Sequence, residues 1–65
     1  MRRLFTPRER DVLACLAMSY DNREVAEALV ISVRTVNRHL DNIRQKAGCR
    51  RRSELVRLAR DLAAG

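Results

Sequence analysis

Apolar residues recur along this chain at helical spacing, and polar residues with cap chemistry separate the recurrences. Val12, Leu13, Leu16 and Ala17 form one stripe, and Val25, Ala26 and Leu29 form a second. Val36, Leu40 and Ile43 form a third, and Leu55, Leu58, Ala59 and Leu62 a fourth. Thr6 precedes Pro7 and stands three residues before Glu9, which is a capping box with proline at the first helical position. Arg10 occupies the place where a hydrophobic staple would need an apolar residue. Asp21 and Glu24 repeat the capping box. Ser32 caps the third stripe, with Ile31 and Val36 as its staple, and Gly48 follows where a left-handed residue is wanted. Ser53 reads as the cap of the fourth. The pattern predicts helices over about residues 7–19, 22–29, 33–47 and 54–63. No repeat, linker or low-complexity segment interrupts it. The expected fold is all-α, a compact four-helix domain, with residues 1–65 forming a single domain.

About three residues separate the second helix from the third, and so tight a join forces a sharp crossing, the helix-turn-helix arrangement. At roughly 100° per residue, Leu40, Ile43 and Ala47 lie within about 40° of Val36. Arg34, Arg38, Asp41 and Gln45 then fall opposite, with Asn37 on one shoulder and Thr35 and Asn42 on the other. A water-facing helix usually carries Lys and Glu, and here only Lys46 is of that kind. Forked and amide side chains predominate instead. Arg pairs bidentately with guanine, Asn and Gln with adenine, and Asp accepts from cytosine. Arg34, Asn37, Arg38, Asp41 and Gln45 are therefore the predicted base-reading residues of a helix lying in a DNA major groove.

Charge decides between that reading and a merely solvated face. Fourteen Lys and Arg against eight Asp and Glu give a net charge of +6, a strong field for 65 residues that attracts polyanions. Phosphate contacts are expected from the starts of the second and third helices, from Arg23, Ser32 and Thr35, and from the run Arg50, Arg51, Arg52. One arginine of that run could instead pair internally, for example with Glu9. On the fourth helix, Val56, Ala59 and Ala63 make a second stripe of small residues suited to pairing with another copy.

Other chemistries find little support. One His and two Cys 34 residues apart are too few for a zinc site, so no metal or cofactor is expected. Cys15 lies on an apolar side and reads as an inert thiol, whereas Cys49, in a loop beside arginines, reads as the more reactive one. With no Gly-rich phosphate loop and no paired carboxylates, an enzyme is not expected. No apolar run approaches the roughly 20 residues of a membrane span. "MRRLF" lacks the apolar stretch of a secretory signal, so the expected location is cytoplasmic.

Three stretches, "LFTPRERDVLACLA", "NREVAEALVISVRTVNRHLDNIRQKAG" and "RRSELV", together resemble the LuxR-type helix-turn-helix domain, also called NarL- or GerE-type. The resemblance covers roughly residues 4 to 62. It implies a four-helix DNA-binding domain of a bacterial transcription factor, often the output domain of a response regulator. It further implies that the third helix enters the major groove and that the fourth pairs two copies on a twofold site. The family's base-reading positions fall on Asn37, Arg38 and Asp41, and its backbone-contacting threonine on Thr35. Val30 stands where Gly is common in the turn, which predicts another backbone path there. Asp41 replaces a basic or neutral residue and either selects cytosine or weakens binding; Ala47 replaces a larger aliphatic. A competing function is a protein-interaction module that binds RNA polymerase or pairs with a full-length relative to block it. A sigma-like end domain is a third reading, disfavoured by the "TPRE" to "SELV" frame.

Overall fold

A computed structural model of the chain describes residues 4–64. Its helices are α1 (Pro7–Ala17), α2 (Asn22–Leu29), α3 (Val33–Ala47) and α4 (Arg52–Ala64). The two expected capping boxes are present. Thr6 accepts from the Glu9 N–H while the Glu9 carboxylate takes the Thr6 N–H, and Asp21 and Glu24 do the same for α2. The Ser32 hydroxyl accepts from the Thr35 N–H, and Gly48 closes α3 at φ 70°.

Two boundaries differ from expectation. α1 ends at Ala17 rather than at residue 19, because Ser19 turns left-handed at φ 66°. The Tyr20 N–H then reaches the Cys15 carbonyl and the Ser19 N–H the Leu16 carbonyl, which is a Schellman closure without glycine. At the other end of the chain, Ser53 does not cap α4. The helix starts two residues earlier than expected, at Arg52, and the Glu54 carboxylate reaches back to the N–H groups of Arg50 and Arg51, each at 2.9 Å. Glu54 thereby makes the reach-back half of a capping box, fixing the chain that enters the helix.

The turn between α2 and α3 corrects a further expectation. Val30 does not avoid the left-handed region; it sits in it, at φ 56° and ψ 49°. The Ile31 N–H bonds to the Ala26 carbonyl at 3.0 Å and the Val30 N–H to the Glu27 carbonyl at 3.3 Å. The Schellman bonds and the half-buried Ile31 hold the β-branched residue where glycine would sit more easily.

The core joins all four helices. Val12, Leu13, Leu16, Val25, Ala26, Val36, Leu40, Ile43, Leu55 and Ala59 are buried, and α1 lies most extensively against α4 while α2 lies against α3. Ala59, expected both in the inner stripe and in the stripe for pairing, is 2% exposed and belongs to this core, which leaves it no free surface for a second copy. Leu62, expected inside, is 51% exposed and borders a groove of about 620 Å³ with Leu4, Phe5, Leu13 and Leu58. The expected inner stripe thus holds at Leu55 and Ala59, with Leu58 half-buried, and fails only at Leu62 in the last turn. The small Ala59 side chain in the core favours close packing of α4 on α1.

Candidate nucleic-acid interface

α3 is seated by one side. Val36, Leu40 and Ile43 are buried, which fixes the helix's rotation and leaves Arg34, Asn37, Arg38, Asp41 and Gln45 all exposed on the remaining surface. These five side chains lie along a helix of 15 residues, about 22 Å of rise. A helix with its side chains is about as wide as a DNA major groove, ~12 Å. The row is continuous with the turn that carries Val30 and with the start of α2.

Several members of the row are already engaged. Asp41 Oδ1 accepts from Arg44 Nη1 at 3.2 Å, so an arginine on the same helix offsets the carboxylate that was expected to repel phosphate. Asn37 Oδ1 accepts from Asn22 Nδ2 at 2.8 Å. Ser32 and Thr35 share a hydrogen bond between hydroxyls at 3.0 Å, in addition to the cap. The side chains of Arg34, Arg38 and Gln45 make no hydrogen bond to another described residue and are exposed.

The flanking arginines divide. Arg23, Arg50 and Arg51 are exposed. Arg52, grouped with them as a phosphate contact, is half-buried and spends its guanidinium inside the protein: Nη1 donates to Asn22 Oδ1 at 2.5 Å and Nη2 to the Tyr20 carbonyl at 2.9 Å. Glu9, the carboxylate considered as an internal partner for the arginine run, is taken by Lys46 instead, at 2.6 Å. Burial pushes the Glu9 carboxyl up, but the Lys46 ammonium and the Thr6 backbone and hydroxyl outweigh it, and the net shift is downward. The pair ties the last turn of α3 to the first turn of α1.

The helix starts are not equivalent as anion sites. α2 begins with Asp21 and Glu24 folded over its amides, which repel a phosphate from the position where one was expected. α3 has no acidic residue in its first turn, and Ser32 occupies only the Thr35 N–H. The start of α3 is therefore the better placed of the two for a phosphate.

Residue type and rotation set this surface, and comparison with known proteins bears on what it is. The family described as bacterial regulatory proteins, luxR family, matches residues 3–59. The chain belongs to that family. Among curated relatives, the oxygen regulatory protein NreC of Staphylococcus carnosus (strain TM300) is 40% identical over 57 residues, covering 88% of this chain and 26% of that protein. NreC of Staphylococcus aureus (strain JH9) is 39% identical over the same length, with the same coverage. The chain thus spans about a quarter of the length of these relatives. In this luxR-family fold the residues singled out on α3 form one outward surface, Arg52 and Ala59 leave the groups to which they were assigned, and Val56 and Ala63 remain half-buried and exposed respectively on α4. Asn22, Arg44 and Lys46 are the residues whose parts were not foreseen. Asn22 carries no charge and sits at a helix start, where nothing in the linear pattern marks it.

The thiols are separate from this surface. Cys15 is half-buried, and burial, with Asp11 adding to it, pushes its thiol up, as suits an inert packing residue. Cys49 is also half-buried, packed against the core at the end of α3. Among the described residues no three His, Cys, Asp or Glu side chains gather to hold a metal ion, and no helix is long and apolar enough to cross a membrane.

Proposed function

We propose that residues 1–65 are a single DNA-binding domain of a bacterial transcriptional regulator, one that recognises double-stranded DNA by laying α3 in the major groove. The observation that carries the reading is the rotation of α3. Burial of Val36, Leu40 and Ile43 turns Arg34, Asn37, Arg38, Asp41 and Gln45 outward together, in a chain of the luxR family. Arg34, Asn37, Arg38, Asp41 and Gln45 read base edges. Arg23, Arg50 and Arg51 contact phosphates, as do Ser32 and Thr35 at the start of α3. No chemistry on a substrate is part of this role, and a regulator acting on the chromosome works in the cytoplasm.

Two copies pair on a twofold site through α4, with Val56 and Ala63 at the contact and Ala59 serving the core beneath them. So small a contact keeps the free domain monomeric and completes pairing on DNA.

Titrating duplex into labelled protein at low ionic strength tests the groove placement. Amide shifts should move along residues 33–47 and at residues 50–51; a still α3 refutes it. Engagement of about five phosphates per domain gives a log–log salt slope near −4 to −5. A shallow slope, with retained binding to RNA polymerase or to a full-length relative, would favour the interaction module instead.

A further inference from the structure

A chain of three polar side chains connects α4, α2 and α3, and its chemistry runs in one direction only. It starts at Arg52. A guanidinium donates and has no acceptor, so the Asn22 atom facing Arg52 Nη1 must be the amide oxygen. The second guanidinium nitrogen is anchored on the Tyr20 carbonyl at 2.9 Å, which holds the fork in place. With its oxygen committed, Asn22 turns its NH2 group toward α3 and donates to Asn37 Oδ1 at 2.8 Å. Asn37 is then left with its oxygen directed at α2, and its own NH2 is the group available to a ligand. Arg52 and Asn22 are half-buried and Asn37 is exposed, so the relay leads from a sheltered anchor to the reading surface.

We infer that Arg52 and Asn22 are positioning residues that set the polarity of Asn37, so that Asn37 leads with its NH2 donor toward the base it meets and discriminates against cytosine, the one base without an acceptor in the major groove. The inference rests on the DNA-binding reading above. An asparagine free to turn pairs bidentately with adenine, accepting from N6 and donating to N7. Here one lone pair of the oxygen is taken by Asn22, which fixes which end of the amide leads outward, and adenine can still be met at N7. Guanine offers O6 and N7 and thymine offers O4, all acceptors, in the major groove; cytosine offers only its N4 donor there. Donors aimed at cytosine find no acceptor and lose their water, which is the costly mismatch.

Reversing the relay should reverse the preference. In Asn22→Asp one carboxylate oxygen still accepts from Arg52 and the other faces Asn37, which must turn its NH2 inward and its oxygen outward. The added acid sits in the first turn of α2, where the helix dipole favours it, so the variant is expected to fold. Wild-type protein, Asn22→Asp, Asn22→Ala, Arg52→Gln and Asn37→Ala are each used to select from a randomised duplex library. The base column that flattens in Asn37→Ala is the one that Asn37 reads. In that column wild type should disfavour cytosine by about tenfold, and Asn22→Asp should prefer cytosine or adenine by a similar factor. Asn22→Ala and Arg52→Gln, which release the polarity, should lose most of the discrimination. A general loss of affinity from the added negative charge would move all columns together and does not imitate this reversal.

An unchanged column in Asn22→Asp overturns the relay while leaving DNA binding intact. If that variant does not fold, an unchanged column in both Asn22→Ala and Arg52→Gln overturns it equally. Failure of wild type to retain any duplex overturns the DNA-binding reading itself, and this inference with it.

Discussion

Val30 offers the sharpest test of the backbone argument, because its strain is local and its side chain does almost nothing else. It lies at φ 56° and is 89% exposed, so replacing it removes little packing. An L-residue in the left-handed region is disfavoured by about 1–2 kcal/mol, and branching at Cβ places valine at the upper end. Glycine removes that strain but adds unfolded-state freedom of about 0.4–1 kcal/mol. Val30→Gly should therefore stabilise the fold by about 1 kcal/mol. For a domain of this size that raises Tm by roughly 4–8 °C. Val30→Ala keeps a Cβ in the left-handed region while losing the branch, so it should fall between the two. The assay is thermal unfolding followed by far-UV circular dichroism, with urea denaturation as a check that m is unchanged. A Tm for Val30→Gly at or below wild type, or below that of Val30→Ala, would refute the reasoning: the turn would then owe its conformation to something other than tolerated strain.

Other outcomes follow from the same structure. Glu9 is held below the ordinary carboxylate range, so its ionised form stabilises the fold above that range, and the contribution disappears as pH falls through the lowered value. Glu9→Gln should accordingly cost about 1–2 kcal/mol at neutral pH and markedly less in acid, read from urea midpoints across pH 2–7. Leu40→Ala removes a fully buried side chain and should cost about 2–5 kcal/mol. That is a large part of the roughly 3–10 kcal/mol expected for a chain of this length, and the urea midpoint should collapse accordingly. Arg38→Ala should weaken the selected site by about 1–3 kcal/mol and relax one base position, whereas Arg51→Ala should weaken all duplexes alike, as gel-shift titrations with specific and random DNA would show. Val56→Glu should abolish cooperative binding to a paired site without changing affinity for a half-site; cooperativity that survives the change rules out α4 as the contact.

The architecture was legible wherever a cap and a stripe agreed. α2 and α3 begin and end where Asp21, Ser32 and Gly48 indicate, since each residue has one obvious local role. Legibility failed where the backbone used an unusual residue for a common task. Ser19 and Val30 close their helices in a conformation that favours glycine, and Ser53 lies inside the helix it was expected to cap, with Glu54 holding the entering chain instead. α4 misled for a different reason: its leucines and alanines support two overlapping stripes that share Ala59, and only the folded packing shows Ala59 spent in the core while Leu62 stays exposed. The outward residues of α3 could be named from periodicity alone because three buried aliphatics fix its rotation. Their partners could not. The hydrogen bonds from Asn22 to Asn37 and from Arg52 to Asn22 span 15 and 30 residues of chain, and no local pattern signals a polar pair at such a separation.

The glutamates near the helix starts have a last consequence. Glu9, Glu24 and Glu54 each lie within the first turn of their own helix, and α3 alone among the described helices has no such acid. Three of the four backbone dipoles are therefore largely quenched at their positive poles, and one is not. A polyanion approaching this small cationic body meets a diffuse attraction from its arginines, which has reach but little sense of direction. If α3 meets DNA as proposed, the single unquenched pole supplies what that attraction lacks, a short-range preference that acts within about one helical turn and seats a phosphate at the start of α3.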